Sequence, residues 1–248
     1  MAEFETVRAL VLRDARYKEA DKILTLLSAE KGKITVKARG ALRKSSKIAA
    51  ASQTLCFSEF TLFGNRGRWT VNEASSAEQF LGLRDDIAAF ALGAYFADML
   101  DTVCAEDVPA SGALSLALNA LYALSRGLYT QEHIKSVFEL RLMSLEGFRP
   151  ETDFCGVCGE EPEQPVFAPE EGIVCCRKCA DARLGRILPL DDSTLAAMRY
   201  IIRAPAKKEF SFSMSADGER QLGRVCEDFA ECQMDRRLYS LDYWKKVK

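Results

Sequence analysis

Histidine is nearly missing from this chain: of 248 residues only His133 carries an imidazole. Any Ser-His or Cys-His nucleophilic arrangement would have to run through that one residue, which lies between Glu132 and Ile134 in a helical stretch. A lone helical histidine is far more often a packing or surface residue. Neither a P-loop signature nor a GxGxxG turn occurs, so no P-loop ATPase and no Rossmann cofactor site is expected. Long apolar runs are lacking as well. Ile87 to Leu100, fourteen residues, contains Asp98 and falls short of a membrane span, so no membrane segment is expected. The first residues, Met-Ala-Glu-Phe-Glu-Thr, have no basic start leading into an apolar signal core, and a reducing cytoplasm is the expected location.

Cysteine, by contrast, is plentiful, with nine residues. In a reducing compartment these are not read as disulfides, and Cys56, Cys104, Cys226 and Cys232 are expected to be small apolar core residues. The other five cluster. Cys155-Gly-Val-Cys158 and Cys176-Arg-Lys-Cys179 are two CxxC pairs separated by the seventeen residues 159–175. Each CxxC turn presents two thiolates to one cation and the intervening loop returns the second pair, the spacing of a tetrahedral zinc site. Gly156, Gly159 and Gly172 with Pro162, Pro165 and Pro169 describe a tightly turned knuckle rather than buried thiols on a core element. Cys175 competes with Cys176 as a ligand, but only Cys176 stands three residues from Cys179. The expected ligands of one structural zinc are thus Cys155, Cys158, Cys176 and Cys179. With all four positions thiolate, none is left for a catalytic water, and the His-x-Glu partner of zinc deaminases is absent. No enzyme is expected; a zinc-dependent nucleic-acid enzyme and a protein-interaction scaffold remain the alternative readings.

The net charge of -2 hides an uneven distribution. Residues 1–80 carry 14 Lys+Arg against 9 Asp+Glu, residues 81–184 carry 8 against 17, and residues 185–248 carry 12 against 10. A basic end joined to an acidic middle points to a polyanionic partner for the first segment.

That segment reads as five short strands: Phe4 to Leu12, Ile23 to Leu27, Lys33 to Arg39, Thr54 to Phe63 and Arg68 to Ala74. Asp14 to Asp21 is a charged turn, and Gly64-Asn65-Arg66-Gly67 is a hairpin turn. In the third strand alternation sends Ile34, Val36 and Ala38 to a core and Lys33, Lys37 and Arg39 to the opposite face. Ala41 to Gln53 follows as a basic, mobile loop with Arg43, Lys44 and Lys47. Five strands in about 75 residues is the inventory of an OB-fold or an SH3-like barrel. The cations expected to contact DNA are Lys33, Lys37, Arg39, Arg43, Lys44 and Lys47, joined by Arg13, Arg16, Lys22, Arg66 and Arg68 in turns or strand ends. Trp69 and Phe57 suit either a stacking platform or the core, and the core is favoured for both.

After Ser75 the pattern turns helical. Phe80, Leu83, Ile87, Phe90, Ala91 and Ala94 recur at three- and four-residue steps toward Cys104, and Pro109 breaks the pattern. Further helices are expected from Ser111 or Gly112 to Arg126, from Thr130 to Glu146, from Asp192 or Ser193 to Pro205, and from Gly218 to Arg237. The expectation is a two-domain α+β protein: an OB-fold-like barrel over 1–78, then a mostly helical domain over 79–248 with the zinc knuckle inserted at about 153–181.

With these residues in view the chain resembles the RecO family of bacterial recombination and repair proteins. The resemblance rests on Glu19-Ala-Asp-Lys-Ile-Leu-Thr-Leu-Leu27, Gly32-Lys-Ile34, Ala38-Arg-Gly-Ala-Leu-Arg-Lys-Ser45, and Phe148-Arg-Pro150 ahead of the CxxC pairs. It implies an N-terminal OB-fold and a helical C-terminal domain bearing, in many members, this knuckle. It also implies no catalytic turnover, binding of single- and double-stranded DNA, annealing of complementary strands, and work with RecR to load RecA onto DNA coated by single-strand binding protein. Location would be cytoplasmic and nucleoid-associated. Some members lack the cysteines, which favours an architectural role for the knuckle. For the acidic tail of single-strand binding protein, two cationic clusters are candidates: Arg126, Lys135 and Arg141, or Arg199, Arg203, Lys207 and Lys208.

Overall fold

The computed structural model describes residues 3–65 and 67–248, so Arg66, one of the expected DNA contacts, lies outside the described residues. The first five strands are β1 (Glu3–Tyr17), β2 (Asp21–Ser28), β3 (Gly32–Ala38), β4 (Phe57–Asn65) and β5 (Arg68–Glu78). They close in the order β1-β2-β3-β5-β4. Every neighbouring pair is antiparallel except β3 and β5, which run parallel and meet at Val36/Trp69 and Lys37/Thr70. Val7, Ala9, Val11, Leu24, Leu26, Ile34, Val36, Ala38, Phe60, Leu62 and Val71 fill the interior. The inward set of β3 is the one its alternation predicts, with Thr35 exposed between Ile34 and Val36.

Two local expectations are corrected. Residues 14–17 are not a turn: β1 continues to Tyr17, because its second half pairs with β2 as far as Tyr17/Asp21. The reversal is confined to residues 18–20, where Lys18 takes a left-handed φ of 57°. Nor is the segment after Gly40 a free loop. It is a series of turns with Ala41, Ala51, Ser52, Leu55 and Cys56 buried, tied down by Leu42 N–H to Ala20 O, Leu55 N–H to Val11 O and Val11 N–H to Cys56 O. Leu55 has a φ of 65°, which delays the start of β4 from the expected Thr54 to Phe57. The β4–β5 connection is shorter than the expected Gly64-Asn65-Arg66-Gly67 turn, since Gly64 and Asn65 belong to β4 and pair with Trp69 and Arg68.

The helices are α1 (Ile87–Val103), α2 (Ser111–Arg126), α3 (Gln131–Leu145), α4 (Asp192–Arg203), α5 (Ala216–Met234) and α6 (Tyr239–Val247). Asp86 fixes the start of α1 by accepting the N–H groups of Ala88 and Ala89, whereas the pattern alone suggested a start at Phe80. Residues 81–84 form a 3-10 turn instead, entered through Phe80 at a φ of 46°. No described helix is long and apolar enough to cross a membrane.

The chain divides into two compact units, Met1–Arg126 with Leu238–Lys248, and Gly127–Arg237. The first holds the barrel, α1, α2 and α6. Its two halves are stitched where Gly32, at a φ of 60°, meets the 106–110 segment: Asp107 N–H donates to Lys33 O and Ala110 N–H to Ala29 O. A Cβ at residue 32 would overlap the Val108 carbonyl, so glycine is required there on two counts. Helix α6 packs on α1 through a segment that buries Leu241 and Trp244.

In the second unit α3 packs against α4 and α5. A small sheet, β6 (Pro165–Ala168), β7 (Ile173–Cys176) and β8 (Leu188–Pro189), has the order β7-β6-β8. Helix α3 is buried almost all round, so its polar side chains must find partners inside. Lys135 lies 2.8 Å from Glu139 and 2.9 Å from Glu227, and these carboxylates hold its ammonium above the ordinary lysine pKa although burial pulls the other way.

Candidate metal centre and nucleic-acid interface

The β6–β7 hairpin pairs Pro165 with Cys176, placing Cys176 at the end of β7 beside the turn that carries Cys155 and Cys158. Cys179 follows in a turn closed by its own N–H to Cys176 O. The four Sγ atoms of Cys155, Cys158, Cys176 and Cys179 all lie within 4.8 Å of one another, with Cys158 and Cys176 at 4.0 Å. A tetrahedron with metal–sulfur bonds of about 2.3 Å has sulfur–sulfur edges of about 3.8 Å, so the cluster is close to the size that a single ion would set. Cys175 is buried on β7 in register with Val166 and does not join the four.

The donors also fit a cation chemically. Cys176 N–H and Cys158 N–H point at Cys155 Sγ (3.3 and 3.5 Å), and Glu163 N–H points at Cys176 Sγ (3.3 Å). Burial raises the Cys155 thiol, but the amides of Cys158, Cys176 and Val157 outweigh it and bring the pKa down to about 6. Burial, then the neighbouring Cys158 and Cys155, push Cys179 up to about 12. Four thiolates cannot share so small a space without a positive charge among them. A divalent ion held by Cys155, Cys158, Cys176 and Cys179 would supply it.

On the barrel a groove of about 650 Å³ opens beside the β3–β5 seam, lined by Tyr17, Lys37, Arg39, Phe63, Arg68 and Trp69 among others. Strand register explains the gathering. Tyr17 pairs with Asp21, Ile23 with Lys37 and Lys37 with Thr70, so the outward residues of four strands converge on one face. Trp69 is half-buried, packed on the barrel interior while lining the groove, so it is both core and wall; Gly64 leaves room for its ring. Lys31 Nζ stands 4.8 Å from its ring centre. Phe57 is not in the groove. Tyr17 and Phe63, which no sequence signal singled out, are.

The eleven expected cations scatter. Lys37, Arg39 and Arg68 line the groove. Arg43 folds over Gly40 next to it, while Lys44 and Lys47 are exposed on the turns beyond. Arg13 and Arg16 are exposed on the extended half of β1. Lys33 is turned away toward α1, its Nζ on the Asp101 carbonyl and 3.4 Å from the Asp101 carboxylate. Lys22 is enclosed, 3.0 Å from Asp14, with Ser52 O as a second acceptor. Asp21 is 2.9 Å from Lys37, and the Gly40 amide, then Lys37, hold its carboxyl below the usual range.

The two cationic clusters considered for an acidic tail are mostly spent internally. Lys135 is buried with Glu139 and Glu227, and Arg141 donates to the carbonyls of Ile201, Ile202 and Ala204. Arg199 binds the carbonyls of Thr152 and Asp153, and Arg203 pairs with Asp153. Arg126, Lys207 and Lys208 remain exposed.

Barrel and thiol cluster together define an α+β protein in which a small closed β unit precedes helices and a group of four cysteines of a size that fits one metal ion. The family described as Recombination protein O N terminal matches residues 1–80, and that described as Recombination protein O C terminal matches residues 84–242. The DNA repair protein RecO of Acetivibrio thermocellus is 33% identical over 239 residues, 96% of this chain and 95% of that protein. Proteins of the same name from Desulforamulus reducens and Symbiobacterium thermophilum are each 30% identical over 241 residues, 96% of this chain and 93% and 95% of theirs. The chain belongs to the RecO family.

Proposed function

We propose that the chain is a DNA-binding mediator of recombinational repair, acting without catalytic turnover. In this reading the barrel is an OB-fold, its groove takes single-stranded DNA, and the exposed cations around it extend the contact to duplexes and to strands being annealed. RecR, RecA and single-strand binding protein are the partners, and the thiol centre holds one structural zinc ion. The repair role is drawn from the names of the relatives. The strand order β1-β2-β3-β5-β4 supports the OB-fold.

The observation that carries the reading is the groove itself, where Lys37, Arg39 and Arg68 stand among the rings of Tyr17, Phe63 and Trp69. Cations along a channel bind phosphates and aromatic faces accept bases of any identity, the combination that single-strand binding needs. The groove lining offers cations and ring faces, which contact phosphates and stack on any base, so binding is expected to be insensitive to sequence. The only histidine supports the non-enzymatic reading, since His133 is buried with Nε2 on the Phe210 carbonyl, 3.0 Å away.

Replacing Arg39, Arg43, Lys44 and Arg68 together by Ala tests it. None of the four makes an ion pair among the described residues, and all are exposed, so folding should persist. Each lost phosphate contact lowers the logarithmic salt dependence by roughly 0.7 to 0.9, so the slope for single strands should flatten by about 3. A folded variant that kept the parent's slope and annealing rate would place the DNA site elsewhere.

A further inference from the structure

Among the groove cations of the described residues, Lys37 is the one held in an ion pair. Its Nζ lies 2.9 Å from Asp21 Oδ2 and 4.9 Å from the centre of the Tyr17 ring, while Asp21 Oδ1 accepts the Gly40 N–H at 2.8 Å. Both side chains of the pair are largely shielded, 27% of Lys37 and 19% of Asp21 being exposed, so solvent screens the contact less than it would at an open surface. Arg39 and Arg68, on the same groove, are exposed and make no ion pair among the described residues. Asp21 thus presents one oxygen to an ammonium and the other to a backbone N–H, and these are the two kinds of donor that a backbone phosphate seeks.

We propose that Asp21 is an internal competitor for phosphate: in the empty groove it occupies Lys37 and the Gly40 amide, and a nucleic-acid phosphate gains Lys37 only by displacing it. The proposal rests on the groove being the nucleic-acid site. It carries a thermodynamic consequence. When Lys37 leaves Asp21 for a phosphate, the cation released from the nucleic acid is balanced by one drawn to the bared carboxylate. Lys37 therefore adds little to the salt dependence of binding, whereas Arg39 and Arg68 each add a full contact. Asp21, from just behind the lining, limits affinity and blunts salt sensitivity where Lys37 meets the groove.

The test is the binding of an oligothymidylate, which forms no duplex, to the full chain over a range of salt. Asp21→Asn keeps an oxygen for the Gly40 N–H but removes the charge that holds Lys37. It should bind about fivefold more tightly near 0.1 M salt, with a slope steeper by about 0.7, the increment of one phosphate contact on a single strand. Asp21→Ser, which keeps a hydroxyl acceptor, is a second route with the same expectation should the first variant fold poorly. Glu73→Gln makes the same change of net charge on the exposed part of β5, away from the groove lining, and should move affinity by less than about twofold with no change of slope. Equal gains in Asp21→Asn and Glu73→Gln would overturn the proposal, reducing it to net charge. Unchanged or weaker binding in Asp21→Asn would overturn it too, leaving Asp21 as a support for Lys37. If the parent did not bind, or bound undiminished without Arg39 and Arg68, the groove reading would fall and this proposal with it. A parent that binds through those arginines while Asp21→Asn gains nothing sinks the proposal alone.

Discussion

The barrel packs eleven apolar side chains from five strands into one interior, from Val7 on β1 to Val71 on β5. The knuckle, by contrast, encloses Cys155, Val166, Cys175 and Cys176, with Cys179, Ala180 and Leu184 only partly covered. Both are small pieces of chain, and both must offset the conformational entropy of ordering their backbone. The barrel does so by closing on itself, so that every strand is paired on both sides and apolar burial supplies the rest. The knuckle has too little apolar surface for that. In the proposed reading an ion held by its four sulfurs would substitute for a core, where the barrel depends on volume.

The largest effect should come from removing two ligands. Cys158→Ala with Cys179→Ala leaves two thiolates, and metal binding contributes about 10–16 kcal/mol of folding free energy to small thiolate-held peptides. Metal analysis should fall from one ion per chain to none, limited proteolysis should cut within 153–181, and exchange protection in the barrel should be unchanged. A parent without metal, or a variant as resistant as the parent, would collapse the distinction between the two regions. Next comes Phe60→Ala, which empties the centre of the barrel and should cost about 3–5 kcal/mol by denaturant unfolding of the first unit. Metal content should not move; if it did, the two regions would not be independent.

The smallest effect concerns pH. Burial holds the His133 pKa below its ordinary 6.5, outweighing the Phe210 carbonyl and the Glu219 carboxylate, which favour the charged ring. The folded chain therefore binds this proton less readily than the unfolded one. The stability that the neutral ring contributes is whole above about pH 6.5 and declines as pH falls through that value. Thermal unfolding of the parent and of His133→Gln between pH 8 and pH 5 should show a decline in the parent corresponding to at most about one proton, missing from the variant. A decline of equal size in both would assign it to carboxylates instead.

The sequence was most informative where one residue type has one use. Two CxxC pairs gave the four sulfurs that converge, and alternation from Lys33 to Arg39 gave the inward set of β3. It was less informative where a partner lies far along the chain. Alternation puts Lys33 outside the barrel but cannot show that Asp101, on α1, comes to meet it. Arg141 reads as a free helical cation until α4 brings the carbonyls of Ile201, Ile202 and Ala204 beneath it. Helix α6 went unseen because nine residues hold too few apolar positions to show a period; Leu241 and Trp244 gain their meaning only from packing on α1. Of the groove aromatics, Trp69 was open to either role in the sequence, whereas Tyr17 was hidden because it was assigned to a turn that proves to be strand.

Trp69 also gives this chain an optical property. Of its two indoles, Trp244 is enclosed, 1% exposed, while Trp69 forms part of the groove wall within reach of whatever enters it. Emission from the enclosed ring supplies a steady background, and emission from the other would change if, as proposed, a base stacked upon it or Lys31 moved away. Under that proposal the unmodified protein would be its own fluorescent reporter of groove occupancy.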